Sequence, residues 1–496
     1  TGLQVIYLSE NVQAHDSQGA RVGLSPTAAL AELLKGTGLR FEFLNSRTVR
    51  IFSGTTPARV TGPRADNSMA APPEIIITGT RTAELTNHTP ASIAVWTAED
   101  MEASGIKGMA EIGALTPGVE FDFPSNLADI DTNLIIRGVI IPLGVTTGVY
   151  IDETPIPAAR DNTFGRSFPA TFDLDRVEVL RGPQGTLLGQ GTLGGAVLFS
   201  FNQPSLTTYS GLARTEWAAS AHGDMSYEAG AALGGPVIQD VLGLRVSGWY
   251  RSDGGYVDRI DPVTGSLVDH NVNRLLSQSA RVALTWAPSG SVRVTPSLTY
   301  ESYSQRDVSP FYVNLSDPRM GQLRNDSLAR SPESDAFYLA NLKLTAGFRL
   351  ADLSAVTSYF DRNAAAGLAE IPDPISYAAA QTFKIDIAQR MYSQDVRLTS
   401  ANPQATLNWV AGAFYSNTHT RETSEIDGTR GPPENPTAND MHGMQVEAFA
   451  QGSFKLGGRL TTTAGLRLGR ASYDGVSVGP PLTRIGAHET SVTPKF

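Results

Sequence analysis

The stretch LGLRVSGWYR, residues 242–251, decides the fold class. Leu242, Leu244, Val246 and Tyr250 fall on one side of an extended chain and Arg245, Ser247 and Arg251 on the other, because successive strand side chains point to opposite faces. The pattern recurs downstream. Val292, Val294, Leu298 and Tyr300 oppose Arg293, Thr295, Ser297, Thr299 and Glu301, and Leu460, Ala464, Leu466 and Leu468 oppose Thr461, Thr463 and Arg467. Short turns, GGP at 234–236, APSG at 287–290 and LGGR at 456–459, alternate with long polar stretches near 252–273, 305–333, 363–384 and 417–441. Strands of about ten residues, apolar on one face and polar on the other, with short turns at one end and long loops at the other, describe an antiparallel transmembrane β-barrel better than a soluble sandwich or propeller. Tyr250, Trp286, Tyr300 and Phe454, at the ends of apolar faces, fit an aromatic belt.

Composition agrees. The 496 residues carry 39 Lys plus Arg against 49 Asp plus Glu, a net charge of −10, which argues against a nucleic-acid partner. With no cysteine, thiolate metal sites, disulfides and Cys nucleophiles are excluded. No run of about 18 apolar residues exists to form a membrane-spanning helix.

Upstream, residues 1–52 read as a small α/β module. An apolar run covers Leu3–Tyr7, a helix starts at Ser25-Pro26 with Leu30, Leu33 and Leu34 at helical spacing and Gly36 as its stop, and strands cover Arg40–Leu44 and Thr48–Phe52. Residues 53–73, rich in Pro, Gly and polar residues, read as a flexible linker. EIIITGTR at 74–81 is an isolated β-prone segment, either the first strand of the next domain or a strand for a partner's sheet edge. Residues 82–204 read as a compact α+β domain, with a Thr97/Asp100 capping box and Ile106, Met109 and Ile112 marking a second helix.

A GxGxxG match at Gly189, Gly191 and Gly194 runs into AVLFSF, a strand and not the helix that dinucleotide binding needs. No nucleophile elbow, phosphate loop or metal-ligand spacing is present, so no enzyme, cofactor or metal site is expected. His222, His270, His419, His442 and His488 fall in or beside expected loops and read as solvated. Arg137 and Arg181, each in a Gly-flanked strand-turn, either serve local turns or face the inside of a surrounding barrel.

Taken together, LSPTAALAELLKGTGLRFEF with TVRIF, PEIIITGTR, LIIRGV at 134–139, GVYIDETPI at 148–156 and FDLDRVEVLRGPQGTLLGQGTLGGAV at 172–197 resemble a TonB-dependent outer-membrane receptor of the transducer type. The resemblance implies a partial signalling domain over 1–52, a TonB box within 74–81 (Glu74, Ile75, Ile76, Ile77, Thr78, Gly79), a plug over 82–204, and over 205–496 about half of an expected 22-stranded barrel, the chain being truncated at both ends. It further implies that Arg137 and Arg181 lock the plug to barrel glutamates beyond Phe496, and that Gly182, Pro183, Gly185, Gly189, Gly194 and Gly195 form the plug motif. LFSFNQP after this motif departs from the family's usual strand.

The implied function is active uptake of a scarce ligand, foremost a ferric siderophore or other iron complex, with signalling. Haem, cobalamin, oligosaccharide uptake or signal transduction alone are the alternatives. The implied partners are TonB with its inner-membrane motor, an anti-sigma regulator, the ligand and membrane lipid. The implied location is the outer membrane of a Gram-negative bacterium, with the N-terminal domain in the periplasm.

Overall fold

The computed structural model describes residues 4–7, 26–35, 37, 39–43, 48–53, 76–77, 84–85, 92–122, 133–139, 145–158, 168–189, 191–327, 329–370, 381–402, 405–428, 434–457, 460–478 and 482–495. The chain divides into two compact units, Thr1–Pro73 and Glu74–Phe496.

In the first unit, β1 (Gln4–Tyr7), α1 (Pro26–Leu33), β2 (Leu39–Phe43) and β3 (Thr48–Ser53) form a sheet of order β1-β3-β2 with one helix. Pro26 opens α1, where an amide hydrogen would have no helical partner. At the other end the Thr37 hydroxyl donates to Leu34 O at 2.7 Å and accepts from Leu39 N at 3.2 Å, joining helix to strand. Gly36 lies outside the described residues.

The second unit begins with a two-residue ladder between β4 (Ile76–Ile77) and β5 (Glu84–Leu85). The plug comes next: β6 (Ser92–Thr97), α2 (Ala98–Ala103), α3 (Met109–Leu115), β7 (Val119–Asp122), β8 (Asn133–Ile136), β9 (Thr147–Ile151), β10 (Thr154–Pro155), β11 (Leu174–Arg181), α4 (Gly185–Leu188) and β12 (Gly195–Phe201). The capping box is present, with Thr97 Oγ1 accepting from Asp100 N and the Asp100 carboxylate accepting from Thr97 N, both at 3.2 Å. Five strands pair in the order β10-β9-β12-β11-β6, only β9 and β12 being parallel. Their Val149, Ile151, Val177, Val179, Val197 and Phe199 pack with Ile112, Leu134 and Ile136 in one cluster. Each such fully buried side chain contributes about 1.5–3 kcal/mol. The departure at LFSF is absorbed here, because β12 lies inside the plug sheet and buries Leu198, Phe199 and Phe201.

The remaining chain makes β13 (Ser210–Ala219), β14 (Met225–Ile238), β15 (Leu242–Asp253), β16 (Val257–Ile260), β17 (Leu267–Asp269), β18 (Leu275–Ser289), β19 (Val292–Gln305) and β20 (Leu323–Asn325). It continues with β21 (Glu333–Gly347), β22 (Ala351–Glu370), β23 (Gln381–Ser400), β24 (Leu407–Gly428), β25 (Glu434–Leu456), β26 (Leu460–Val478) and β27 (Thr483–Lys495). Twelve of these form one antiparallel meander, the wall, in which each strand pairs with the next; β16, β17 and β20 form a small separate sheet in the long connections.

Alternation holds along the wall. Leu298 is 47% exposed while its neighbour Thr299 is 2% exposed, and Val246 lies outward between buried Arg245 and Ser247. The apolar face is the outer one, as a lipid-facing strand requires. The outward tyrosines run as a belt, with Tyr300 against Tyr338 at 4.8 Å, Tyr359 opposite Tyr392, and Tyr392 near Tyr415 at 6.3 Å. Trp286 and Phe454 are exposed toward the short turns.

Two expectations are corrected. GGP at 234–236 is not a turn, because β14 continues to Ile238 with a register shift after Pro236, a position where a missing amide hydrogen is tolerated. The turn lies at 239–241. Within the stretches 363–384 and 417–441, the described residues 363–370, 381–384, 417–428 and 434–441 are strand, so that β22 to β25 reach 20–23 residues where about ten were expected. Backbone pairing continues there after the apolar pattern has ended, since ladder hydrogen bonds do not require apolar side chains.

Candidate functional site

The inward face of the wall meets the plug along a polar seam. From the plug, Asp173 is held by Arg245, whose Nε lies 2.9 Å from Oδ2, and Asp152 accepts from Arg281 Nη2 at 3.0 Å. Glu153 pairs with Lys343 at 2.5 Å and with Arg397. Lys107 reaches Glu216 at 2.6 Å and the buried Glu228 at 3.5 Å. Thr154 shares a hydrogen bond of 2.6 Å with Ser358 and accepts from Asn341 at 2.9 Å. Most groups in this seam are at least half-buried, so loss of one partner strands a charge. Apolar contact adds to it, since wall residues Phe337, Leu339, Phe360 and Met391 belong to the same cluster as the plug core.

The plug motif sits in this seam. Arg467 of β26, 2% exposed and paired with Glu447 of β25, donates to Leu187 O at 3.0 Å and Thr186 O at 3.4 Å at the end of α4. Gly189 comes directly after, with φ +92°, and a Cβ there would fall 2.5 Å from Arg467 Nη2. A Cβ on Gly195 would fall 2.2 Å from Leu180 O, across the β11–β12 pair. Gly182 N donates to Gly194 O at 2.8 Å, Gly194 N donates to Thr146 O at 2.7 Å, Pro183 lies in the turn between, and Gly185 opens α4. The glycine spacing that matches a dinucleotide-binding fingerprint therefore serves close approach of backbone to backbone and of backbone to the wall.

Arg137 and Arg181 come together on the plug. Arg137, with φ +56°, donates its amide to Gly118 O at 2.7 Å, and its Nη1 lies 2.9 Å from where a Cβ of Gly182 would stand. Arg181 Nη1 donates to Pro117 O at 2.9 Å. Among the described residues neither makes an ion pair with the wall. Of the TonB-box residues, Ile76 and Ile77 form β4; Glu74, Ile75, Thr78 and Gly79 lie outside the described residues.

Toward the long connections, plug and wall enclose a cavity of about 260 Å³ lined by Phe121, Phe168, Trp249, Arg251, Tyr303 and Phe337, with Phe121 and Phe168 edge to face at 5.5 Å. Sequence reasoning missed Arg467, Glu447 and this aromatic cavity, because each joins segments distant in the chain. It also put His419 and His442 beside loops, whereas both lie in strands, stacked on each other at 4.2 Å.

A plug seated against an apolar-out, polar-in antiparallel wall defines the class of outer-membrane receptors and transporters. Two stretches of the chain match known domain families. Residues 86–196 match the TonB-dependent receptor plug domain and residues 3–53 the secretin and TonB N-terminus short domain. The ferripyoverdine receptor of Pseudomonas aeruginosa is 29% identical over 215 residues, 41% of this chain and 25% of the relative. The pesticin receptor of Yersinia pestis is 28% identical over 178 residues, 35% of this chain and 24% of the relative. Among solved structures, the ferric yersiniabactin uptake receptor of Yersinia pestis superimposes with a TM-score of 0.66 at 18% identity, over 82% of this chain and 60% of that one. The alignments thus reach about a quarter of the curated relatives' length. Residues 3–53 and 86–196 thus match the domains of a TonB-dependent receptor's N-terminus and plug, and the fold is that of the receptor β-barrels on which the chain superimposes.

Proposed function

We propose that this chain takes part in TonB-dependent uptake of an iron complex, foremost a ferric siderophore, across the outer membrane, and that residues 1–52 couple ligand occupancy to an anti-sigma regulator. The observation that carries the reading is the plug held against the wall by polar pairs and by Arg467, with an aromatic cavity on the long-connection side. Relatives named for ferripyoverdine and yersiniabactin support the ligand class. The cavity is the entry chamber, where the aromatic faces of Phe121, Phe168, Trp249 and Phe337 suit a planar chelate.

The segment 74–79 is the TonB box, and Ile76–Ile77 is its strand core. Strand addition to a partner's sheet edge loads several backbone hydrogen bonds together, so a pull on this segment reaches the plug first. Arg137 and Arg181 act as the plug's locking pair toward barrel carboxylates. The family is one of transport receptors, and no enzymatic step is assigned.

Ile76→Pro removes a backbone donor from the box. In the full-length receptor it abolishes energised uptake of the iron complex and leaves ligand affinity unchanged; retained uptake refutes the box. Deleting residues 1–52 leaves uptake intact and ends ligand-dependent induction.

A further inference from the structure

On the outer face of the wall, four residues beyond the belt tyrosine Tyr415 in the direction of the long connections, β24 presents His419 directly opposite His442 of β25, with Asp440 two residues further along β25. All three side chains face outward, as Tyr415 does on β24 and the exposed Met444 and Val446 do on β25. The rings are parallel within 2° at 4.2 Å. Nε2 of His419 lies 2.9 Å and Nε2 of His442 3.3 Å from the same Asp440 oxygen, Oδ1. One ligand atom from each residue lies within 4.8 Å of the other two. Nothing in the uptake mechanism uses them.

We propose that His419, His442 and Asp440 bind a first-row transition dication, Zn²⁺ by donor chemistry. Tetrahedral Zn²⁺ holds His nitrogen and carboxylate oxygen at about 2.0–2.2 Å, which sets neighbouring ligand atoms about 3.3 Å apart, close to the two separations observed. Two imidazoles and one carboxylate select Zn²⁺, Cu²⁺ or Ni²⁺ over Mg²⁺ and Ca²⁺, which take oxygen. Water completes the shell, since all three side chains are 40–61% exposed. The strand ladder fixes all three backbones, so little order is lost on binding.

Around the site, Asp474 stands opposite His442, Arg421 opposite Asp440 and Arg390 opposite His419, and Arg390 is already engaged by Asp361 at 3.1 Å. A position just beyond the belt lies in the headgroup layer, where a cation reaches the site from water. The bound ion ties β24 to β25.

The test titrates the folded full chain in detergent with Zn²⁺ against a chromophoric chelator, and then records Cu²⁺ electron paramagnetic resonance. One equivalent binds to the parent. His419→Ala and His442→Ala each weaken it by more than about tenfold, His488→Ala leaves it unchanged, and Mg²⁺ does not compete. The Cu²⁺ spectrum carries coupling from two imidazole nitrogens, reduced to one in either single variant. Equal affinity in the His419→Ala/His442→Ala double variant and the parent overturns the site, as does a Cu²⁺ spectrum without imidazole coupling. Both outcomes leave only a hydrogen-bonded His–Asp–His triad. Unchanged circular dichroism of the variants separates loss of ligand from loss of fold.

Discussion

Plug and wall are built from strands of opposite polarity. The plug hides Val177, Val179, Val197 and Phe199 inside and shows the wall Asp152, Glu153, Asp173 and Lys107; the wall turns Val246 and Leu298 outward and Arg245, Arg281 and Arg467 inward. One region is held by its own core. The other depends on lipid outside and the plug inside, and the seam between them combines hydrogen bonds and ion pairs, which water can replace, with apolar contacts of Phe337, Leu339, Phe360 and Met391. A plug joined to the wall in this way can move while the wall stays.

The largest effect expected is from Val179→Asp, which places a charge in the plug core and costs more than about 4 kcal/mol. Limited proteolysis then cuts within 92–201 while the wall stays protected. Equal protection of both regions would break the comparison. Arg467→Ala strands Glu447 against α4 and costs about 3–5 kcal/mol, read as a lower denaturant midpoint for plug release with little change in the wall.

Leu298→Arg puts a charge on the outer face and costs about 2–4 kcal/mol near the bilayer centre. Folding into vesicles measures it, and a neutral result would mean that this face does not meet lipid. The smallest effect lies in the long connections. Burial pushes the Asp269 carboxyl up, but Arg330, Arg306 and Arg259 outweigh this and hold its pKa below the usual range. A depressed folded value stabilises above the unfolded pKa of about 3.9 and is lost as pH falls through the lower folded one. Amide protection factors at Val257–Ile260 and Leu267–Asp269, taken relative to the intrinsic exchange rate at each pH, therefore fall in acid, and Asp269→Asn flattens that dependence. Asp307 nearby works with the opposite sign, because burial raises its carboxyl pKa.

The same division governs how much was legible in sequence. Alternation at 242–251 and 292–301 exposes the wall's polarity because period two is a local property, and Thr97 with Asp100 marks a helix start for the same reason. Strand ends were misjudged at 363–384 and 417–441, where the apolar signal stops at the bilayer edge while backbone pairing continues. The motif glycines were visible, but not their cause: Gly189 is required by Arg467, 278 positions later in the chain (467 − 189). His419 and His442 are 23 residues apart (442 − 419) and meet only through the β24–β25 register.

The central claim is that force on the box segment displaces the plug before the wall. Single-molecule pulling from residue 74, with the receptor in a supported bilayer, tests it directly. The plug from Ser92 to Phe201 has 110 residues (201 − 92 + 1), so its release adds about 360–400 Å of extended chain. The expected result is a series of force peaks that sum to this length, with the wall's strands still paired when they end. Extraction of β13 and later wall strands before that length is reached, or at lower force, would contradict it.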